Sequence, residues 1–395
     1  MRIALIAKPG HSSTGVGRYA AMLHAGLKRL GILVTRLAPS LPPLPVAVYD
    51  GLRHFGIDLR TFLLNYAVWA SYPPADVYHL TSQNLAGVLL FRRPPGRVVV
   101  TVHDIIPHML RDDPRLSPLR GRADRLFNQL AMAGLQRADQ LIADSEYTRR
   151  CLVAHLGLPA SRIDVSYLGV DHTHFRPGVG DPAVLRARYG LADGRRYLIY
   201  VGSEDPRKNL PTLLRALAQA QVAHPDLALI KVGRAHFLSE RQHVCDLTHN
   251  LGLAGSVHFL DDVPEVDLPG LYGLAVACVM PSLYEGFGFP VLEAMACGTP
   301  TICADAASLP ELAGDVGLLV PLSGDQAANF AAAIRHLLDR PRLCAQLADR
   351  GMTHAAAFRW DRCAVDAWAT YRAGRARAEP FAHGVPDTLP PRSQP

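Results

Sequence analysis

The chain has 395 residues, a net charge of +6 at pH 7, 49% hydrophobic and 19% charged residues. That length suits two or three domains, and the apolar content excludes a chain disordered throughout. No apolar run approaches the roughly 18 residues of a membrane span, and no G-X-Y period points to collagen.

Residues 1–172 hold 20 Lys and Arg against 12 Asp and Glu, whereas residues 173–395 hold 21 against 23. A basic first half suits an anionic partner: a lipid surface, a phosphate-bearing substrate or nucleic acid. No nucleic-acid module or basic–aromatic stripe accompanies that charge, so nucleic acid is not the expected partner. The seven cysteines are dispersed and include no C-x-x-C, which predicts buried thiols in a reducing cytoplasm and no zinc site.

In chain order, short apolar strands alternate with amphipathic helices, the pattern of parallel α/β layers. Residues 1–8 place five apolar residues between charges and predict a buried strand at 3–7, not a signal peptide. A helix at 17–30 follows. Residues 39–45 contain four prolines. The next stretch, 46–72, carries Tyr49, Phe55, Phe62, Tyr66, Trp69 and Tyr72 and reads as an insertion with a surface helix. Strands are predicted at 75–80, 98–103, 141–145 and 163–166, with a helix at 123–137.

A break at 169–178 precedes a second run of strands at 197–201, 228–232, 257–260, 277–281, 301–304 and 318–320. The restart predicts two similar domains, 1–172 and 173–358. A terminal helix at 359–375 is expected to pack back on the first domain. Residues 376–395 are proline-rich and aperiodic and predict a disordered tail.

The most specific stretch runs from Pro281 to Gly298: P-S-L-Y-E-G-F-G-F-P-V-L-E-A-M-A-C-G. A strand ends near Pro281, a glycine-spaced loop follows, and a helix starts near Pro290, where proline is tolerated. Gly298 is placed to end that helix. Backbone N–H groups of such a loop, above a helix start, hold anionic or hydroxyl-rich ligands. Glu285 and Glu293 stand eight positions apart, one at the loop mouth and one in the first helical turn. Each carboxylate accepts two or more hydrogen bonds from sugar hydroxyls. Arg207 and Lys208 follow the 197–201 strand and precede a helix with Pro211 near its start. Two cations at a strand's C-terminal edge beside a helix N-terminus form a diphosphate site.

These segments resemble the family 4 retaining glycosyltransferases. Glu285–Glu293 matches the E-x7-E signature of that family, and Gly202–Asn209 is similar to its G-x-x-x-P-R-K-N segment. His103-Asp104, Ala143-Asp144-Ser145-Glu146 and Leu309-Pro310-Glu311-Leu312 extend the likeness over about residues 1–373. It is weakest at 40–95.

The resemblance implies an α/β fold of the GT-B type: two facing Rossmann-like domains with a cleft between them. It implies a nucleotide-diphospho-sugar donor bound mostly by the second domain, and retention of anomeric configuration. Arg207 and Lys208 then hold the diphosphate and Glu293 the ribose. Glu285 with the Gly286, Phe287, Gly288 and Phe289 backbone holds the sugar. His103 contacts the sugar from the first domain, with Asp104 a candidate either to orient its ring or to help hold the acceptor. Val263 marks where backbone meets the donor base.

No metal is expected, because the two cations offset the leaving phosphate's charge and no D-x-D motif stands in the chain. The P-R-K-N variant suggests a mannosyltransferase-like subgroup using GDP-mannose, with UDP-glucose next and a dTDP- or GDP-deoxysugar as a further alternative. The expected acceptor is a glycan or a lipid-linked sugar in bacterial surface polysaccharide synthesis. The basic first half suggests peripheral contact with an anionic membrane.

Gly15-Val16-Gly17-Arg18-Tyr19-Ala20 fits G-x-G-x-x-A, but it lies too far beyond the first strand and no acid follows about 20 residues on. A dehydrogenase is a poor reading. In relatives by resemblance, the Gly15 and Gly17 loop faces the donor, with Arg18 assigned to the donor or to an acceptor phosphate. Two other classes are a non-catalytic nucleotide-sugar-binding subunit and an enzyme of the same architecture with different chemistry, a phosphorylase or a nucleotide-sugar epimerase. A phosphorylase needs a pyridoxal-phosphate lysine, and only Lys208 and Lys231 lie in the second half.

Overall fold

A computed structural model describes residues 1–7, 15–38, 72–119, 121–235 and 238–373. The expected insertion up to residue 71 and the expected tail lie outside them.

Residues of the first half form a six-stranded sheet: β1 (Arg2–Ile6), β2 (Leu33–Leu37), β3 (Val77–Leu80), β4 (Arg97–Val102), β5 (Gln140–Ala143) and β6 (Ile163–Val165). Their order is β2-β1-β3-β4-β5-β6, and every pairing is parallel. Around it run α1 (Gly15–Arg29), α2 (Ile106–Met109), α3 (Arg122–Leu135) and α4 (Glu146–Leu156).

The second sheet contains β7 (Arg196–Val201), β8 (Leu227–Val232), β9 (Val257–Leu260), β10 (Ala275–Met280), β11 (Thr301–Ala304) and β12 (Leu318–Val320), also all parallel. Its order is β12-β11-β10-β7-β8-β9. Its helices are α5 (Pro182–Tyr189), α6 (Leu210–Gln221), α7 (Leu238–Asn250), α8 (Leu268–Leu274), α9 (Phe289–Ala296), α10 (Leu309–Ala313), α11 (Gln326–Leu338) and α12 (Pro341–Ala355). Last comes α13 (Trp360–Ala373).

Parallel strands need helices on both faces, so their sequences read as near-continuous apolar runs. Leu227–Val232 is buried at every position. The period of two still sorts the first sheet's side chains. Ala4, Ile6, Tyr78, Val98 and Val100 belong to one buried cluster. Ile3, Leu5, Val77 and Val99 belong to the other, which continues into the second sheet's core.

β2 is absent from the predicted strands. It is an edge strand, largely exposed, and Thr35 and Arg36 interrupt its apolar pattern. Other strand ends differ from the predicted ones by one or two residues.

The chain crosses between the halves twice. Residues 166–181 contain no helix or strand. Val170 N–H donates to Phe358 O at 3.1 Å, so the outgoing and returning segments meet. α13 then packs on α1. A Cβ on Gly26 would stand 2.6 Å from Ala364 Cβ, so only glycine allows that approach. Tyr371 of α13 reaches under the first sheet, where its hydroxyl lies 2.6 Å from His79 Nδ1.

Candidate functional site

The second sheet's strand order reverses between β7 and β10. Helices leave these strands to opposite faces, opening a crevice beyond their C-terminal ends, the usual ligand position in such sheets. Two loops fill that crevice: 202–209 after β7 and 281–288 after β10.

The first loop carries Arg207 and Lys208. Asp205 starts a short 3₁₀ turn (Pro206–Lys208) by accepting from Arg207 N–H at 3.2 Å. Asn209 leaves the turn at φ 57°, a left-handed conformation that asparagine tolerates. Its amide donates to Pro281 O at 3.2 Å and Gln326 Oε1 at 3.0 Å. Leu283 N–H donates to Arg207 O at 2.8 Å. The two loops are therefore fixed to each other.

Their charges converge on Glu285, which is 6% exposed. Lys208 Nζ stands 2.5 Å from Glu285 Oε1, and Ser282 Oγ donates to the same oxygen at 2.9 Å. Arg207 Nη1 lies 3.8 Å from Oε2. Burial by itself raises this carboxyl's pKa. Lys208 and then Arg207 outweigh it and hold the group below its ordinary value. Arg207 Nε also lies 3.3 Å from Asp205 Oδ2, so two adjacent cations at the crevice floor are balanced by two carboxylates of the same two loops.

Beyond the loop, Gly288 takes φ 118° and α9 begins at Phe289, with Pro290 in its first turn. Ser308 Oγ donates to the carbonyls of Glu285 and Phe287, holding the loop from β11's side. Glu293 lies one turn inside α9, not in its first turn as the sequence suggests. It is 3% exposed: Tyr272 OH donates to Oε2 at 3.0 Å, and Arg18 Nη1 to Oε1 at 2.6 Å.

The first half faces this loop directly. A Cβ on Gly286 would stand 2.3 Å from His103 O and 2.8 Å from Asp104 Cβ, so the loop requires glycine there. Ser145 Oγ donates to Gly286 O at 2.8 Å and also accepts from Thr148 N–H, capping α4. Gly15, at the start of α1, faces Phe289; an added Cβ would lie 3.3 Å from that ring. Gly17 sits in the same helical turn.

His103 differs from expectation in its partner. Asp104 does not orient the ring; its Oδ1 accepts from Ile106 N–H at 3.0 Å. The ring's partner is Asp144, with Oδ2 2.5 Å from Nδ1, while Nε2 donates to Thr81 O at 2.9 Å. Burial opposes the imidazolium, but the Asp144 carboxylate more than offsets it and raises the His103 pKa. Both ring nitrogens are thus engaged within the first half. A direct ring contact to a ligand requires one of these bonds to be exchanged. The reason sequence missed Asp144 is distance along the chain: His103 follows β4 and Asp144 follows the neighbouring strand β5.

Val263 follows β9, the edge strand two positions from β7, on the loop that also carries Glu265. Glu311 is a cross-cleft residue whose role no local sequence pattern marks. Its carboxylate accepts from Glu146 N–H at 2.8 Å and Tyr147 N–H at 2.6 Å, at the N-terminus of α4. Tyr167 OH also donates to it at 3.1 Å. Lys231 is enclosed, with Nζ 2.5 Å from Glu204 Oε1 and donating to Gly233 O. It is not presented to the crevice.

Two family sequence models cover most of the chain. "Glycosyl transferases group 1" matches residues 183–354, and "Glycosyltransferase Family 4" matches residues 13–174. The chain belongs to the family 4 glycosyltransferases. Among its relatives in this family is a D-inositol 3-phosphate glycosyltransferase of Rhodococcus jostii. It is 32% identical over 260 residues, 65% of this chain and 57% of that protein. The protein of the same name from Mycobacterium tuberculosis is 35% identical over 245 residues, 60% of this chain and 49% of that one. The chain thus matches about half the length of these curated relatives.

Solved structures share the fold. A sucrose-phosphate synthase from Thermosynechococcus elongatus superposes with a TM-score of 0.73 at 24% identity, covering 96% of this chain and 100% of that one. Anabaena Alr3699/HepE, in complex with UDP and glucose, gives 0.68 at 20% identity, with the same coverage. The two parallel sheets facing across a cleft are the GT-B architecture of this glycosyltransferase family.

Proposed function

We propose that the protein transfers a hexose from a nucleoside-diphosphate sugar, with retention, to a phosphate-bearing glycan or lipid-linked acceptor. The observation that carries the reading is the Arg207–Lys208–Glu285 cluster at the strand-order reversal of the second sheet. Its two adjacent cations suit a diphosphate that takes over pairing from Glu285 and Asp205. During transfer the bond from the anomeric carbon to the β-phosphate oxygen breaks, and charge grows on that phosphate. Fixed cations beside it lower the barrier because they need no reorganisation. In the retaining route the acceptor oxygen bonds to the same face of the anomeric carbon, and its proton passes to the departing phosphate. Glu285 is not positioned as one of a glycosidase carboxylate pair; it accepts sugar hydroxyls. The same cations make a bound metal unnecessary for the leaving group.

The relatives named above are described by an inositol phosphate and not by mannose, which favours an anionic acceptor over the mannosyltransferase subgroup. GDP-mannose remains the donor suggested by Pro206–Asn209, and the UDP complex of the fold neighbour makes UDP-glucose the competing candidate. The N-terminal basic excess supports either an anionic acceptor or an anionic membrane surface carrying it.

A thermal-shift panel of GDP-mannose, UDP-glucose, UDP-GlcNAc, dTDP-rhamnose, GDP and UDP tests this, in wild type and Lys208→Ala. A ligand of the folded state raises the melting temperature. One selective stabiliser, lost in the variant, supports the reading. No stabilisation by any of them sinks it and favours a subunit that does not handle these donors.

A further inference from the structure

Arg18 belongs to α1 of the first half, yet its guanidinium is committed to the second. Nη1 stands 2.6 Å from Glu293 Oε1 and Nη2 stands 3.0 Å from Glu265 Oε1. The guanidinium carbon lies 5.9 Å from the centre of the Phe175 ring and 5.5 Å from that of Phe289. A planar cation between two rings and two carboxylates is well held, because attraction to the ring faces adds to the ion pairs. The two pairs are unequal. Glu265 is half exposed, where solvent screening leaves little net attraction, while Glu293 is almost fully buried.

This contact conflicts with ligand access. Tyr272 takes one Glu293 oxygen and Arg18 the other, and the residue is 3% exposed. A vicinal diol that is to donate to this carboxylate must reach an oxygen that Arg18 now covers. Arg18 also sits within the turn that begins at Gly15, itself against Phe289, so it withdraws only when the start of α1 and α9 separate or the side chain swings away.

We propose that Arg18 is an internal competitor of the donor: in the empty protein it occupies the place on Glu293 that the donor's ribose hydroxyls take, and donor entry displaces it. The inference rests on the reading of Glu293 as the ribose acceptor. A binding-competent state with Arg18 withdrawn is then only a fraction of the population, and the apparent dissociation constant is raised by the inverse of that fraction. Donor binding and the approach of the two halves are coupled through one side chain.

Calorimetric titration of the full chain with UDP and with GDP tests the idea in wild type, Arg18→Ala and Glu265→Gln. Arg18→Ala is expected to bind whichever diphosphate the wild type binds about tenfold more tightly. Glu265→Gln is expected to move in the same direction by roughly two- to threefold, since it removes only the screened pair. Tighter binding separates competition from a structural role, because damage to the fold weakens binding. Should Arg18→Ala fail to fold, the half-exposed Glu265 still gives the sign. Weaker binding in the variants overturns the proposal and makes Arg18 a donor contact. Unchanged affinity in both overturns the competition alone. Binding of neither diphosphate by any of the three proteins removes the ribose reading of Glu293, and the competition with it.

Discussion

The two walls of the cleft use charge in opposite ways. On the second wall, two neighbouring cations, Arg207 and Lys208, are balanced by Glu285 and Asp205 of the crevice loops, Arg207 through contacts as long as 3.3 and 3.8 Å. On the first wall, His103 has one partner for each ring nitrogen, Asp144 and Thr81, and no nitrogen left over. Adjacent cations on crevice loops are what an anionic ligand can recruit; a histidine bonded through both ring nitrogens holds backbone and strand ends in place. Substitutions on the second wall should therefore show first in ligand handling, and those on the first wall in stability.

The largest expected effect is on the second wall. Lys208→Ala should slow release of nucleoside diphosphate in a transfer assay by about 10²- to 10³-fold, the usual range for losing one fixed stabiliser of a developing oxyanion. A loss under about tenfold would mean that these cations serve no leaving group. The cluster also has a pH signature. Glu285 is held below its ordinary pKa of 4.5. Its contribution to stability is complete above that unfolded-state value and is lost as pH falls through the lower folded-state value. Urea midpoints measured downward from pH 6 should show that loss, and Glu285→Gln should remove it.

Next comes the His103–Asp144 pair. Asp144→Asn leaves the buried imidazolium without its counter-charge, and breaking such a pair costs about 3 kcal/mol. Denaturant titration reads it directly. The sign of the pH dependence is opposite to that of Glu285. The His103 pKa is raised, so the histidine's contribution is full below about 6.5 and declines as pH rises through the folded-state value; burial also raises the Asp144 carboxyl, which shifts stability in the same direction at lower pH. A variant that keeps this decline would show that another group holds His103.

Gly286→Ala attacks the line where the walls meet. The new methyl would lie 2.3 Å from His103 O, a backbone atom that cannot swing aside. Overpacking of this kind costs about 2 kcal/mol unless the cleft opens. If it opens, scattering from the unliganded variant should show a larger radius of gyration with little loss of stability. An unchanged radius and an unchanged midpoint together would contradict the close approach.

How much of this is legible in sequence follows from chain separation. Arg207 and Lys208 are neighbours, and Glu285 and Glu293 lie on one loop-and-helix unit, so local spacing alone marks them as a group. The parallel layers are equally legible, because buried strands such as Leu227–Val232 leave unbroken apolar runs. Three things are not. β2 is an exposed edge whose alternation is broken by polar residues. The His103–Asp144 pair joins the ends of adjacent strands 41 positions apart. Arg18 meets Glu293 across 275 positions, and only the facing of the two halves brings them together. Local pattern carries the second wall; tertiary register carries the first.

Glu311 gives the smallest effect and the finest test of that division. α4 begins with N–H groups that no helical carbonyl can accept. Ser145 takes Thr148 N–H from within the first half, while Glu311 of the second takes those of Glu146 and Tyr147. One helix start is thus capped from both walls, and the second cap exists only while the cleft is closed. Glu311→Gln keeps the shape but replaces one acceptor oxygen by an amide that faces an N–H, and it removes negative charge from the positive end of the helix. Each loss is of the size of an ordinary cap, so about 1 kcal/mol is expected from the denaturant midpoint. Because the contact is lost on opening, the penalty should fall on the closed state. Saturating diphosphate that bridges the two walls in place of the Arg18–Glu293 contact should then enlarge the difference between variant and wild type. An equal difference with and without ligand would place Glu311 in static support of α4 and detach it from closure.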